Sequence, residues 1–275
     1  MKSITLVAII TAIVFSSCST RESITIAGSS TILPIVSKAA EQFKLAHPNI
    51  QIIVNGGGSG VGINQVGEGK IDIGLASRKL TREEKKKYPA ANFQVHTIAK
   101  DGVLPAISSE IYNAGVRALT LRQIGDIYAG KVTNWKTYRG PDRDILAIDK
   151  EKSRGTRHVF MFNILGDKEA DALGADLVLG SNNEEQTAIS QSDAAIGMLS
   201  RAWINNDVKG LGIIVAGGVI LPTREHIRAG TFPLTRDLDL ITRGQPKGYA
   251  KTFIDFLLSA EGQKIVDTSG YVSIQ

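Results

Sequence analysis

Hydroxyl-bearing side chains recur at the ends of apolar, strand-like runs in this 275-residue chain. Ile24 and Ile26, alternating with small polar residues, lead into Gly28-Ser29-Ser30-Thr31-Ile32. Ile50 to Val54 leads into Asn55-Gly56-Gly57-Gly58-Ser59-Gly60. Ile71 to Ala76 ends in Ser77-Arg78, and Ile145 to Ile148 is followed by a polar segment and Ser153-Arg154-Gly155-Thr156-Arg157. Groups of this kind do one of two things. One serine can act as a nucleophile beside a base, or several neutral donors can share one anion. In the second case the free N–H groups of helix starts add to the hold.

The sequence argues against the nucleophile. A strand-to-helix elbow needs Gly-x-Ser-x-Gly, and Gly57-Gly58-Ser59-Gly60 is followed by Val61. His47, His96, His158 and His226 are far apart, with neither metal-ligand spacing nor a cysteine partner. The dinucleotide fingerprint fails at Ile63. The phosphate-loop motif fails because Ile71 follows Gly69-Lys70. A secreted phosphatase or esterase using Ser30 or Ser59 is therefore the weaker alternative.

The elements that would position these turns follow from periodicity. After Thr31 the apolar residues Ile32, Ile35, Val36, Ala39, Ala40 and Phe43 recur at helical spacing, and Pro34 suits a first helical turn. Ile63 and Val66 mark a helix after the glycine-rich turn. Val159, Phe160, Phe162 and Ile164 mark one after Thr156. Thr81 with Glu84, and Ser181 with Glu184, have capping-box spacing. Val95 to Ala99 and Val103 to Ile107 read as strands around a turn at Lys100-Asp101-Gly102. Two helices close the chain, near Lys247 to Leu258 and after Ser259. Strands alternating with helices predict an α/β fold with mostly parallel sheets, which binds ligands at strand carboxyl ends.

The formal charge of +5 is spread out, and the densest cluster, Arg82 to Lys87, is mixed in sign. That favours a small anionic ligand over nucleic acid. Residues 1–17 read as a signal peptide, with Lys2 ahead of an apolar core from Ile4 to Phe15. Ser16-Ser17 precede Cys18, the only cysteine. This junction resembles a bacterial lipobox, which implies cleavage before Cys18, lipidation of its thiol and an extracytoplasmic protein anchored to the envelope membrane. Residues 18–23 would be the tether. Phe15 stands where an aliphatic residue is usual.

Taken together, Gly28 to Thr31, Gly56 to Gly60, Asp72 to Arg78, Gly130-Lys131-Val132-Thr133-Asn134-Trp135, Arg154 to Arg157, Ala195-Ile196-Gly197 and Leu258 to Gln263 are similar to the phosphate-binding proteins of phosphate ABC transporters. The resemblance runs from about residue 24 to the C-terminus. It implies a type II periplasmic-binding-protein fold: two α/β lobes, with mostly parallel sheets, joined by two crossing segments and closing over inorganic phosphate. Residues 24–102 plus 216–275 would form one lobe and 103–215 the other. It also implies delivery to permease subunits, with no cofactor, metal or covalent chemistry; a monomer is expected. The ligand residues would be drawn from Ser29, Ser30, Thr31, the backbone of Ile32, Ser59, Ser77, Arg78, Ser153, Arg154, Gly155, Thr156 and Arg157. Well-known members carry an aspartate where this chain has Arg78, and it is that aspartate which rejects sulfate. An arginine expected upstream of Ser153 is Lys150. Arg78, Arg154 or Arg157 is expected to supply the charge, and Asp101 is the candidate proton acceptor. The departures keep another tetrahedral oxyanion, sulfate or molybdate, as an alternative ligand.

Overall fold

The computed structural model describes residues 22–275. The segment read from sequence as a signal peptide, Cys18 and most of the expected tether lie outside the described residues. In chain order the elements begin β1 (Ser23–Gly28), α1 (Leu33–Ala46), β2 (Gln51–Asn55), α2 (Ser59–Gly67), β3 (Ile73–Ala76), α3 (Arg82–Lys87), β4 (Gln94–Ser108) and α4 (Ser109–Asn113). Next come β5 (Ala118–Leu119), α5 (Leu121–Tyr128), β6 (Leu146–Lys150), α6 (Gly155–Leu165), β7 (Leu177–Leu179), α7 (Asn182–Ser190) and β8 (Ala195–Ser200). The chain ends with β9 (Val208–Gly210), β10 (Gly212–Val215), β11 (Gly218–Ile220), α8 (Arg224–Arg228), β12 (Thr235–Thr242), α9 (Gly248–Leu258) and α10 (Ala260–Thr268).

Two lobes share one pair of long strands. In the first lobe β2-β1-β3 run parallel. Their apolar residues Ile26 and Leu75 pack against Ile35, Phe43, Phe253 and Val266 of α1, α9 and α10. In the second lobe β8-β6-β7 run parallel. Ile124, Tyr128 and Phe160 of α5 and α6 form a separate core there with Ile107, Trp135 and Met198. β4 and β12 join the lobes through antiparallel pairs. The first half of β4 lies against β12, and its second half, Val103 to Ile107, lies against β8.

This joint corrects two expectations. Lys100-Asp101-Gly102 is not a turn. Asp101 pairs with Arg236 and Gly102 with Thr235 inside a continuous strand, so cross-strand pairing and burial override local turn chemistry. The return to the first lobe is not at residue 216 either. β10 and β11 form a small sheet with β5, and Ile227, Phe232 and Leu234 sit in the second core. The chain re-enters the first lobe at about Leu234, whose carbonyl accepts from the Val103 N–H at 3.0 Å.

Candidate functional site

Three helix starts meet between the lobes: those of α1 and α2 from the first and α6 from the second. None has a side-chain cap. Elsewhere α3, α5, α7, α8 and α10 are each capped by a Ser or Thr hydroxyl. α4 and α9 also lack caps, so that feature alone singles out nothing. The three are distinguished by what gathers at their ends.

Thr31, ahead of α1, has its Oγ1 3.4 Å from Thr156 Oγ1 on α6. Asn182 Nδ2, at the start of α7, donates to Thr31 Oγ1 at 3.2 Å. Ser29 Oγ donates to Ser77 Oγ at 2.8 Å, and Ser77 Oγ lies 3.3 Å from Ser59 Oγ. All six residues are buried. Two glycines permit the approach. Gly28 has φ +141°, and an added Cβ there would lie 2.3 Å from the Leu75 carbonyl oxygen. A Cβ on Gly155 would lie 2.3 Å from Ser59 Oγ and 2.6 Å from Ser77 Oγ. Across the same seam the Gly60 N–H donates to the Ser153 carbonyl at 3.0 Å.

The positive charge at this cluster belongs to Arg236 of β12, only 5% exposed. Its Nη1 donates to Thr156 Oγ1 at 3.0 Å and to the Ser77 carbonyl at 3.3 Å; Nη2 donates to Thr31 Oγ1 at 3.3 Å. Asp101 on β4 fixes the guanidinium from its other edge: Oδ2 accepts from Nε at 3.0 Å and from Nη2 at 2.7 Å, and Oδ1 accepts from Ser200 at 2.8 Å. Tyr271 holds Thr31 from behind, donating to its carbonyl at 2.5 Å. Burial, then the Asp101 charge, pushes that phenol above its ordinary range.

The three expected arginines are committed elsewhere. Arg78 makes two bonds to Glu84, at 2.7 and 2.9 Å. Arg154 reaches Glu151 on the surface. Arg157 turns into the second lobe, with Nε 2.9 Å from Asp149 Oδ1 and further bonds to the Lys168 and Ala170 carbonyls. Lys150 is buried against Glu185 and donates to the Ser181 carbonyl at 3.3 Å. Burial pushes Glu185 up to about 7, even against the lysine charge. Ser30 is only partly buried and its hydroxyl takes no part in the network. The Ile32 side chain is in the first core, and its N–H donates to the Ser29 carbonyl at 3.1 Å.

Sequence reasoning missed Arg236 and Asn182. A signal for Arg236 existed: Leu234, Arg236, Leu238 and Leu240 alternate in step, which placed the arginine on a buried face. Asn182 directly follows the capping serine of α7 and carried no such mark.

A model of the PBP superfamily domain matches residues 15–261. The phosphate-binding protein PstS of Bacillus subtilis is 32% identical over 254 residues, covering 92% of this chain and 81% of that protein. The chain belongs to the PstS-like family. Among solved structures, a substrate-binding protein assigned to a phosphate ABC transporter of Clostridium perfringens, crystallised with bound phosphate, has a TM-score of 0.83 at 31% identity; the match covers 92% of this chain and 100% of that one. An ABC-type phosphate transport receptor from Vibrio cholerae has a TM-score of 0.73 at 31% identity, covering 90% of this chain and 99% of that one. The two-lobed α/β architecture inferred from the sequence is that of the PstS-like family.

Outside the hydroxyl cluster lies a cleft of about 770 Å³, lined from both lobes by Arg78, Lys79, Arg82, His158 and Lys168, with Arg236 at its inner side. Burial, then the Arg78 and Lys168 charges, lowers His158 from an ordinary 6.5 to about 4. Between these values the unfolded chain binds the proton and the folded chain does not. His158 therefore supports the fold above about pH 6.5 and withdraws that support as pH falls towards 4. His158→Gln is expected to flatten the acid side of a melting-temperature profile over that window; an unchanged profile would remove His158 from the explanation.

Proposed function

We propose that this chain is an extracytoplasmic phosphate receptor of a phosphate ABC transporter, closing its lobes on one phosphate ion and releasing it to the permease. The observation that carries this is the meeting of Thr31, Ser59, Ser77 and Thr156 with Arg236 at three helix starts between the lobes. A dehydrated dianion needs nearly every oxygen satisfied. Neutral hydroxyls, helix N–H groups and a single forked guanidinium supply many donors with little net charge. The names of the Bacillus, Clostridium and Vibrio relatives support phosphate and a permease partner. The Bacillus and Clostridium relatives are named as binding proteins and the Vibrio one as a transport receptor, which supports capture without catalysis. Among the described residues no helix is long and apolar enough to cross a membrane. The lipobox-like junction at Cys18 supports anchoring by lipid, and a Cys18→Ala form released from the membrane fraction is the expected result.

Calorimetry on purified protein freed of bound anion tests the reading; absence of binding at micromolar phosphate would refute it. Ser59→Ala and Thr156→Ala are each expected to weaken binding by about 1–3 kcal/mol, the cost of leaving a charged group one hydrogen bond short. Unchanged affinity in both would overturn the site map. Gly155→Ala is expected to lose about 1–3 kcal/mol of binding as well, because its methyl group must push the hydroxyls of Ser59 and Ser77 aside to let the lobes close. An alanine variant that binds as tightly as the parent would show that closure does not bring these groups together.

A further inference from the structure

Resting on the reading of a phosphate receptor, we propose that the buried pair Lys150–Glu185 is a positioning device for binding: it fixes the first turn of α7 so that Asn182 reaches across the lobes and sets the Thr31 hydroxyl for the anion. Lys150 ends β6 and Glu185 lies in the first turn of α7; they are 2% and 0% exposed. The lysine ammonium pairs with Glu185 Oε2 and donates to the Ser181 carbonyl at 3.3 Å. Glu185 Oε1 accepts from the Met198 N–H of β8 at 2.7 Å. One ammonium therefore ties the residue before Asn182, and the carboxylate one turn after it, to the end of β6. The backbone leading into the same turn is held as well, since Glu184 accepts from the Gly180 and Ser181 N–H groups at 2.8 Å each. Room for the buried carboxylate is built into β8: a Cβ on Gly197 would lie 2.6 Å from Glu185 Oε1. That gives Gly197 of Ala195-Ile196-Gly197 its role, while Ala195 and Ile196 lie in the apolar cores.

Asn182 is what this frame holds in place. It is 1% exposed and belongs to the second lobe, yet its Nδ2 donates to Thr31 Oγ1 of the first lobe at 3.2 Å. Thr31 Oγ1 also accepts from Arg236 Nη2 at 3.3 Å. With a donor on either side, the threonine has its own hydrogen left to give, and Thr156 Oγ1 lies 3.4 Å away in the same cluster. A shift of the first turn of α7 would withdraw the Asn182 amide and let the Thr31 hydroxyl rotate. Stability alone does not account for the pair. Desolvation of two buried charges offsets their attraction, and replacing such a pair by uncharged residues of similar volume is often neutral for the fold. What the ammonium supplies is direction, because it must face the carboxylate and the Ser181 carbonyl together. Lys150 and Glu185 are positioning residues, and Asn182 is the group through which they act.

Phosphate calorimetry and thermal unfolding decide the matter, on purified, anion-free protein at pH 8, above the value of about 7 to which burial raises Glu185. Lys150→Met with Glu185→Gln leaves no charge at the pair and keeps an acceptor for the Met198 N–H. This double variant is expected to melt close to the parent and to bind phosphate about tenfold more weakly. Asn182→Ala is expected to weaken binding by a similar factor. Adding Asn182→Ala to the double variant should cost no more than about a further twofold, because all three changes remove one contribution. Losses that multiply to about 100-fold would show that the pair does not act through Asn182 and would overturn the proposal. So would a double variant that binds within about twofold of the parent. If the double variant does not fold, Glu185→Gln with and without Asn182→Ala gives the same cycle, read in the same way. Absence of phosphate binding in the parent itself would overturn the receptor reading, and this proposal with it.

Discussion

Replacing Arg236 with alanine is expected to abolish useful anion binding and to lower stability, the largest combined effect of any single change at this site. The guanidinium spans two jobs. Its Nη atoms reach Thr31, from the first lobe, and Thr156, from the second, while its Nε edge neutralises Asp101. Removing one member of a buried, hydrogen-bonded charge pair at a binding site costs about 2–5 kcal/mol of affinity. The stranded Asp101 then carries an uncompensated buried charge, which costs the fold about 3–5 kcal/mol. Thermal unfolding and phosphate calorimetry separate the two effects. Combining Arg236→Gln with Asp101→Asn should recover much of the melting temperature, because no charge is left buried, while binding stays lost. Retention of phosphate affinity within about tenfold in Arg236→Ala would place the positive pole of the site elsewhere.

The contrast between Arg236 and the arginines named from sequence shows what one dimension of information reaches. Strand-to-helix turns are local events. Gly28, Thr31, Ser59 and Thr156 could be read from periodicity and glycine placement, and the capping boxes at Thr81 and Ser181 formed as spaced. The direction of a long charged side chain is not local. Arg78 lies beside the hydroxyl of Ser77 in sequence, yet Glu84, one turn into α3, draws it away. Arg236 is 135 residues from Asp101 and 205 from Thr31, and only the pairing of β4 with β12 brings these groups together. The same pairing hid the crossing strand: Lys-Asp-Gly has turn chemistry, and nothing nearby in sequence announces the partner that straightens it. Asn182 was invisible for a related reason, since a helix-start asparagine usually serves its own helix, whereas this one reaches across to Thr31.

Arg157→Ala is expected to produce the reverse signature, a large loss of stability with little change in affinity. Its guanidinium is buried, and each of its three nitrogens is engaged. Nε and Nη2 bind Asp149, Nη2 donates to the Ala170 carbonyl at 2.7 Å, and Nη1 donates to the Lys168 carbonyl at 3.3 Å. These bonds fasten α6 to the end of β6 and to the segment around residues 168–170. Alanine would leave the buried Asp149 charge without its partner, with only the Lys150 N–H still donating to it, and two carbonyls unmet, a loss of about 3–5 kcal/mol. Lysine should restore little, since a single ammonium cannot reproduce a fork that serves three acceptor groups. Arg157→Met with Asp149→Leu should regain much of what the single change loses, because the charge that demanded compensation is gone. Chemical denaturation measures each step, and phosphate calorimetry on the folded fraction should stay within about threefold of the parent. An affinity loss as large as that of Arg236→Ala, without a drop in melting temperature, would make Arg157 a ligand residue and require a rearrangement of α6 on closure.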